Sequence, residues 1–117
     1  MKLKVLQVED DLDWQEIFAE EAGNLGLDLN QFSSREEALA AIKKEKPDIV
    51  ITDLHLGEND RSGYRIAEAA IKAGVENVTI ASNTETPSQI IEGVVIQDKS
   101  SALKWLKSVA KGSTERR

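Results

Sequence analysis

Apolar residues along the chain form short strand-like runs that alternate with longer stretches of helical periodicity. Runs of apolar or alternating residues predict five strands, at 5–8, 27–32, 49–51, 78–81 and 94–96. Between these runs, apolar residues recur three or four positions apart, as they do on one face of a helix. The first such set is Trp14, Ile17, Phe18, Ala22 and Leu25. The pattern therefore predicts strands that alternate with helices.

Capping residues predict where the helices begin and end. Asp13, or alternatively Asp11, is predicted to cap the first helix, and Gly26 to end it. Ser34 is predicted to cap the second helix, together with Glu37 three positions later. The same signals predict a helix at 64–73, only a turn or two of helix at 87–92, and a last helix at 101–110 that ends at Gly112.

Alternating strands and helices imply a parallel sheet with right-handed crossovers. The fold class that we predict is α/β: a five-stranded parallel sheet with a flavodoxin-like, doubly wound (βα)5 arrangement and strand order 2-1-3-4-5. A chain of 117 residues is long enough for one core. We expect one domain over 1–112 and a polar tail over 113–117, with no room for an attached output domain.

Composition excludes several classes of function. There is no cysteine, which excludes a disulfide framework, a thiolate metal site and a thiol nucleophile. The formal charge of −6 argues against nucleic-acid binding. The apolar runs are too short to cross a membrane, and the amino terminus is unlike a signal peptide, so we expect a cytoplasmic protein without a membrane partner.

Residues whose side chains can bind a ligand or take part in a reaction directly follow the predicted strands. They are Glu9, Asp10, Asp53, Ser82 and Lys99. A doubly wound sheet brings the carboxyl ends of its strands to one edge. Two carboxylates about 4 Å apart repel by roughly 4 kcal/mol at an effective dielectric constant near 20, so such a cluster needs a cation or a proton. Carboxylate oxygens suit Mg²⁺, and an aspartate can act as a nucleophile towards phosphorus.

The segments 8–11, 47–54, 80–83 and 99–101 together resemble the receiver domain of two-component response regulators. The resemblance covers essentially the whole chain. It implies that Asp53 accepts a phosphoryl group from a histidine kinase or a histidine phosphotransfer protein, and that the chain signals to a downstream protein by contact. It further implies that the chain catalyses only its own phosphorylation and dephosphorylation, with no separate substrate.

The resemblance also implies roles for the other residues of the set. Mg²⁺, or Mn²⁺, would be bound by Glu9, Asp10, Asp53 and the backbone carbonyl of His55. Ser82 resembles the hydroxyl residue of the family's switch, and Lys99 resembles its phosphate-pairing lysine.

Four features depart from the family's pattern. Gly57 stands where proline is usual, and the loop from Asp53 to Gly63 is longer than usual. The chain between Ser82 and Lys99 is shorter than usual, so the fourth helix is expected to be truncated or missing. Ile96 occupies the position of the switch aromatic.

A count from Gly93 would put Gln97 in the position of the lysine. We favour Lys99, because the sequence that follows it, Ser100-Ser101-Ala102-Leu103, is similar to the family's.

Three alternatives to a working receiver remain open. A pseudo-receiver would keep the fold as a protein-interaction module without a phosphorylation switch. A hydrolase of the haloacid dehalogenase type would need a second acid two residues after Asp53, where His55 stands. A nucleotide or flavin binder would need a glycine-rich phosphate loop after a strand, and the sequence has none.

Overall fold

A computed structural model of the chain describes residues 2–56, 62–83 and 90–115, with side chains described as far as Gly112. Within these ranges the elements in chain order are β1 (Lys4–Val8), α1 (Leu12–Asn24), β2 (Asp28–Phe32), α2 (Arg35–Glu45), β3 (Ile49–Asp53), α3 (Ser62–Lys72), β4 (Asn77–Ala81), β5 (Val94–Gln97) and α4 (Lys99–Glu115). The strands form one parallel sheet in the order β2-β1-β3-β4-β5, which confirms the predicted fold class.

Two apolar clusters bury the two faces of the sheet. Successive side chains of a strand point to opposite faces. Accordingly, Leu6 and Val8 of β1 pack with residues of α2 and α3. Val5 belongs to the second cluster, which includes Phe18 of α1 and Leu106 of α4. The helices therefore cover both faces and leave the ends of the strands as the edge at which polar residues collect.

The first helix begins earlier than the Asp13 prediction. Asp11 is its N-cap, because the Asp11 carboxylate accepts hydrogen bonds from the backbone N–H groups of Asp13 at 2.9 Å and Trp14 at 3.4 Å. The alternative cap is therefore the correct one. Gly26 has a φ of 69° and follows the last turn, as predicted. The prediction that Ile17 lies on the apolar face of this helix is wrong, since 41% of the residue is exposed.

Ser34 caps α2 as predicted: its hydroxyl accepts from the backbone N–H of Glu37 and donates to the Glu37 carboxylate. The predicted end of the last helix at Gly112 is wrong, because α4 continues through this residue to Glu115. A glycine inside a helix costs only about 1 kcal/mol, which the rest of the helix can outweigh.

The region of the predicted short fourth helix lies largely outside the described residues, since 84–89 are not among them. Residues 90–93 are not helical, so the described ranges contain four helices. Across those same ranges, no helix has the length and apolar character needed to cross a bilayer.

Candidate functional site

The register of the sheet brings the predicted residues together. Val8 of β1 pairs with Thr52 of β3, so Glu9 and Asp53 follow at the ends of neighbouring strands. Asp53 pairs in turn with Ala81 of β4, and Ser82 comes directly after it. Adjacent parallel strands end at the same edge of the sheet. The site is therefore a consequence of strand order and register.

Lys99 joins Glu9 and Asp53 at the carboxyl ends of the strands. Its ammonium nitrogen lies 2.7 Å from Oε1 of Glu9 and 3.4 Å from Oδ2 of Asp53. Glu9 is only 3% exposed and Lys99 only 7% exposed. The ring of Trp14 lies over the ammonium, with its centroid 5.7 Å from Nζ. Charges removed from water in this way interact strongly and depend on one another.

Three carboxylates of the site can approach one cation. One oxygen each from Glu9, Asp10 and Asp53 lies within 4.8 Å of the others. Glu9 is buried, Asp53 is half-buried and Asp10 is exposed, so the cluster opens to solvent on one side. Such an all-oxygen set with room for water is the environment that Mg²⁺ prefers. The residues present therefore fit a hard divalent cation.

Burial raises the pKa of Glu9 from its ordinary value to about 7; the hydrogen bond from Lys99 opposes the rise, and the charge of Asp53 adds to it. Burial alone would lower the pKa of Lys99, but its hydrogen bond to Glu9 and the charge of Asp53 outweigh this, and the pKa is raised. One ammonium thus does not balance the acids around it, which leaves the site suited to a further positive charge.

Gly63 allows α3 to pack against the end of β3. A Cβ atom at this position would lie 2.6 Å from the Cα of Leu54 and closer still to the carbonyl oxygen of Asp53. The Gly63 N–H donates to the Leu54 carbonyl at 3.0 Å. Asp53 itself accepts a hydrogen bond from the backbone N–H of Leu54 at 2.7 Å. Gly63 is therefore a site residue that the sequence analysis used only as a loop signal.

The polar groups at the carboxyl ends of β4 and β5 are less completely hydrogen-bonded than the acids. The Ser82 hydroxyl is buried and has no hydrogen-bond partner among the residues described. It borders a cavity of about 180 Å³ that Tyr64, Ile96 and Gln97 also line. Asn83, which the sequence analysis did not single out, accepts a hydrogen bond from the backbone N–H of Lys99 at 2.9 Å.

Several similar solved structures are receiver domains. The receiver protein of Sinorhizobium medicae WSM419 superposes with a TM-score of 0.78 at 15% identity, covering 94% of this chain and 95% of its own. The CheY-like receiver domain of Methanospirillum hungatei JF-1 gives 0.72 at 14% identity and covers all of both chains. This chain has the receiver-domain fold. No family model and no curated protein matches the chain.

The similarity to receiver domains concerns the fold alone. A de novo designed Rossmann 2x3 protein also matches, with a TM-score of 0.67 at 21% identity, over 96% of this chain and 91% of its own. A shared fold does not by itself carry a shared function, which depends on the residues of the site. The acids, the lysine and the hydroxyl must therefore support any functional conclusion.

Within the receiver fold, Lys99 rather than Gln97 contacts the acids. The Gln97 side-chain amide donates instead to the Thr79 hydroxyl at 2.9 Å. His55 is half-buried two residues beyond Asp53, and its carbonyl as a metal ligand stays a prediction. Gly57 lies outside the described residues.

Proposed function

We propose that this chain is a phosphoacceptor receiver, in which Asp53 takes a phosphoryl group from a phosphohistidine of a histidine kinase or a histidine phosphotransfer protein. The observation that carries the proposal is the contact of one buried ammonium, that of Lys99, with both Glu9 and Asp53. A lysine between two strand-end acids is arranged to bind a phosphoryl oxygen once Asp53 is phosphorylated.

In the proposed reaction, an Asp53 carboxylate oxygen forms a bond to phosphorus while the phosphorus–nitrogen bond of the donor breaks. The donor nitrogen keeps the electron pair and leaves as neutral imidazole, because the second ring nitrogen carries a proton. The product is an acyl phosphate on Asp53. Lys99 then pairs with one phosphoryl oxygen, and the Ser82 hydroxyl, which has no partner among the described residues, can donate to another.

Glu9, Asp10 and Asp53 would hold Mg²⁺ or Mn²⁺, with the His55 carbonyl as a further expected ligand. The cation would neutralise negative charge on the transferring phosphoryl group, which is a large part of catalysis in this class of reaction. The protein's own contribution is to place the acids and Lys99 on one rigid strand edge.

Phosphorylation by acetyl phosphate with MgCl₂ tests the proposal. The wild type should gain one phosphoryl group, measured by intact mass or by phosphate-affinity electrophoresis, and Asp53→Asn should gain none. Asp28→Asn is the matched control, because Asp28 is exposed at the start of β2, at the end of the sheet opposite to the acids. Labelling of Asp53→Asn at the wild-type rate would show that the acceptor is wrong.

The pseudo-receiver remains a second candidate because Ile96 lines the cavity beside Ser82 where the family has an aromatic ring. Such a module would bind partners without a phosphorylation response. Beryllofluoride with Mg²⁺, an analogue of the aspartyl phosphate, separates the two functions by amide chemical shifts. A working switch should shift residues of β4 and β5 as well as those around Asp53, whereas a module without a switch should show changes only at Asp53.

A further inference from the structure

Three glutamines form a hydrogen-bonded chain next to the acids, which we call the glutamine network: Gln7 of β1, Gln15 of α1 and Gln31 of β2. The Gln31 side-chain amide donates to Oε1 of Gln7 at 2.7 Å and to the backbone carbonyl of Gln15 at 2.6 Å. The Gln15 side-chain amide donates to the backbone carbonyl of Glu9 at 2.5 Å. Gln31 of β2 therefore joins Gln7 of β1 to α1, and Gln15 of α1 continues the network to the turn that carries the acids.

One member of the glutamine network, Gln7, occupies a position that a core would fill with an apolar side chain, whereas Gln15 and Gln31 are half-buried. Gln7 is 2% exposed on an interior strand, and the sheet register places it opposite Gln31. A buried amide left without partners costs about 1–3 kcal/mol, whereas an apolar side chain of similar shape would cost nothing there. Packing alone does not call for a glutamine at position 7, since Val5, two positions earlier on the same face of β1, is apolar.

The network fixes one end of the acid-bearing turn, and α1 fixes the other. The Glu9 carbonyl is held by Gln15, and the Glu9 carboxylate accepts the backbone N–H of Asp11 at 3.2 Å. Asp11 is tied to α1 as its N-cap. Asp10 lies between these two fixed residues, and its side chain is exposed. Its position is therefore set by the backbone on either side.

We propose that the glutamine network positions the Glu9 and Asp10 carboxylates for a divalent cation, with Gln15 and Gln31 as positioning residues that do not themselves touch the ion. This inference rests on the proposed function, because it assigns a role to the Mg²⁺ site. Holding ligands in place before the ion arrives removes the cost of ordering them on binding. Hydrogen-bonded partners of metal ligands typically contribute a factor of about 10–100 to metal affinity.

Titration of MgCl₂ tests the inference through the fluorescence of Trp14, which lies over the Lys99 ammonium. A Trp105→Phe background removes the other tryptophan. Gln15→Met and Gln31→Met each delete a donor while keeping a long side chain, and each should raise the Kd for Mg²⁺ by about 10-fold. Ala19→Met, on an exposed position of the same helix, should leave the Kd within about 2-fold.

Thermal unfolding in EDTA separates positioning from general loss of structure. Gln15 is half-buried at the helix surface, so Gln15→Met should remain folded and carry the test even where Gln31→Met does not fold. Unchanged Mg²⁺ affinity in Gln15→Met beside a binding wild type would overturn the inference and leave the proposed function standing. Equal weakening in Ala19→Met would also overturn it. A wild type with no saturable Mg²⁺ binding would overturn both.

Discussion

The two halves of the candidate site differ in how completely their polar groups are bonded. The acid side consists of residues 9–11 and α1. Its polar groups have hydrogen-bond or ion-pair partners: the Glu9 carboxylate, the Glu9 carbonyl and the Asp11 carboxylate. The hydroxyl side consists of residues 82–83 and β5. Its buried Ser82 hydroxyl has no partner among the described residues and borders a cavity of about 180 Å³. A buried polar group without a partner is uncommon and calls for an explanation. The contrast suggests a fixed half that receives a cation and an adaptable half that can respond.

Lys99 belongs to both halves. Its ammonium bonds to Glu9 on the acid side, and its backbone N–H donates to Asn83 on the hydroxyl side. A change in the bonding of Lys99 therefore reaches both. The variants below test whether the two halves of the site differ in this way and how large the difference is.

Replacing Lys99 with methionine should have the largest effect on stability, because it leaves Glu9 and Asp53 facing each other without a cation. Removal of one partner of a buried ion pair typically costs about 3–5 kcal/mol. Urea denaturation in EDTA at pH 8 should show a loss of about 3 kcal/mol or more, and Lys99→Arg, which keeps the charge, should lose less.

Lys104→Met on an exposed position of α4 is the control for loss of a lysine. Addition of MgCl₂ should recover part of the loss in Lys99→Met and none in the control, since only the former has an unbalanced acid cluster. Equal stabilities for Lys99→Met and Lys104→Met would contradict the structure.

Glu9 should make the protein less stable as the pH rises. Burial raises the pKa of Glu9 to about 7 from an ordinary value of 4.5, so between these values the folded state holds a proton that the unfolded state has lost. Stability should therefore fall across this window, by at most about 3 kcal/mol. Glu9→Gln keeps the shape without the charge, and its free energy of unfolding in EDTA should be nearly flat from pH 5 to pH 7.5. A wild-type profile as flat as that of the variant would rule this out.

Gly63 lies where both halves meet at Asp53, and a methyl group there should disturb both. Gly63→Ala would place its Cβ against the backbone of Asp53 and Leu54. Overpacking of this kind costs about 1–3 kcal/mol, and we expect about 2 kcal/mol together with weaker labelling of Asp53. Gly23→Ala in α1 is the matched control, because no other described residue outside the adjacent helix backbone lies within 4 Å of a Cβ atom added there, and it should stabilise by about 0.5–1 kcal/mol. Equal effects at the two positions would be the contrary result.

The parts of the molecule that the sequence predicted are those governed by repeating physical rules. The alternation of elements follows from apolar patterning, and the strand order was predicted from the doubly wound arrangement that such alternation favours. The meeting of Glu9, Asp53 and Lys99 follows from their positions after parallel strands. Ile17 lies at helical spacing yet is 41% exposed, because spacing alone does not set how far a neighbouring element reaches.

The parts that the sequence did not predict depend on three-dimensional detail at single residues. The glutamines have no periodic signal, since a buried glutamine in a strand reads as one more polar position. Their only sequence mark is that Gln7 interrupts an apolar run. Asn83 and Gly63 likewise act through contacts with residues distant along the chain, and only the register of the sheet and the packing of α3 reveal them.

Removing the Ser82 hydroxyl should have the smallest effect on stability and so measures the adaptable half directly. Because the buried Ser82 hydroxyl has no partner among the described residues, Ser82→Ala should lower the free energy of unfolding by no more than about 0.5 kcal/mol. Thr79→Val on the same strand is the control, because Thr79 donates to the Val95 carbonyl at 2.7 Å and accepts from Gln97 at 2.9 Å, and its loss should cost about 1–2 kcal/mol. With beryllofluoride and Mg²⁺ the order should reverse: Ser82→Ala should lose the chemical-shift response of β4, and Thr79→Val should keep it. A Ser82→Ala protein that is destabilised as much as Thr79→Val would show that the hydroxyl is bonded in the resting state, and the two halves of the site would then be equally fixed.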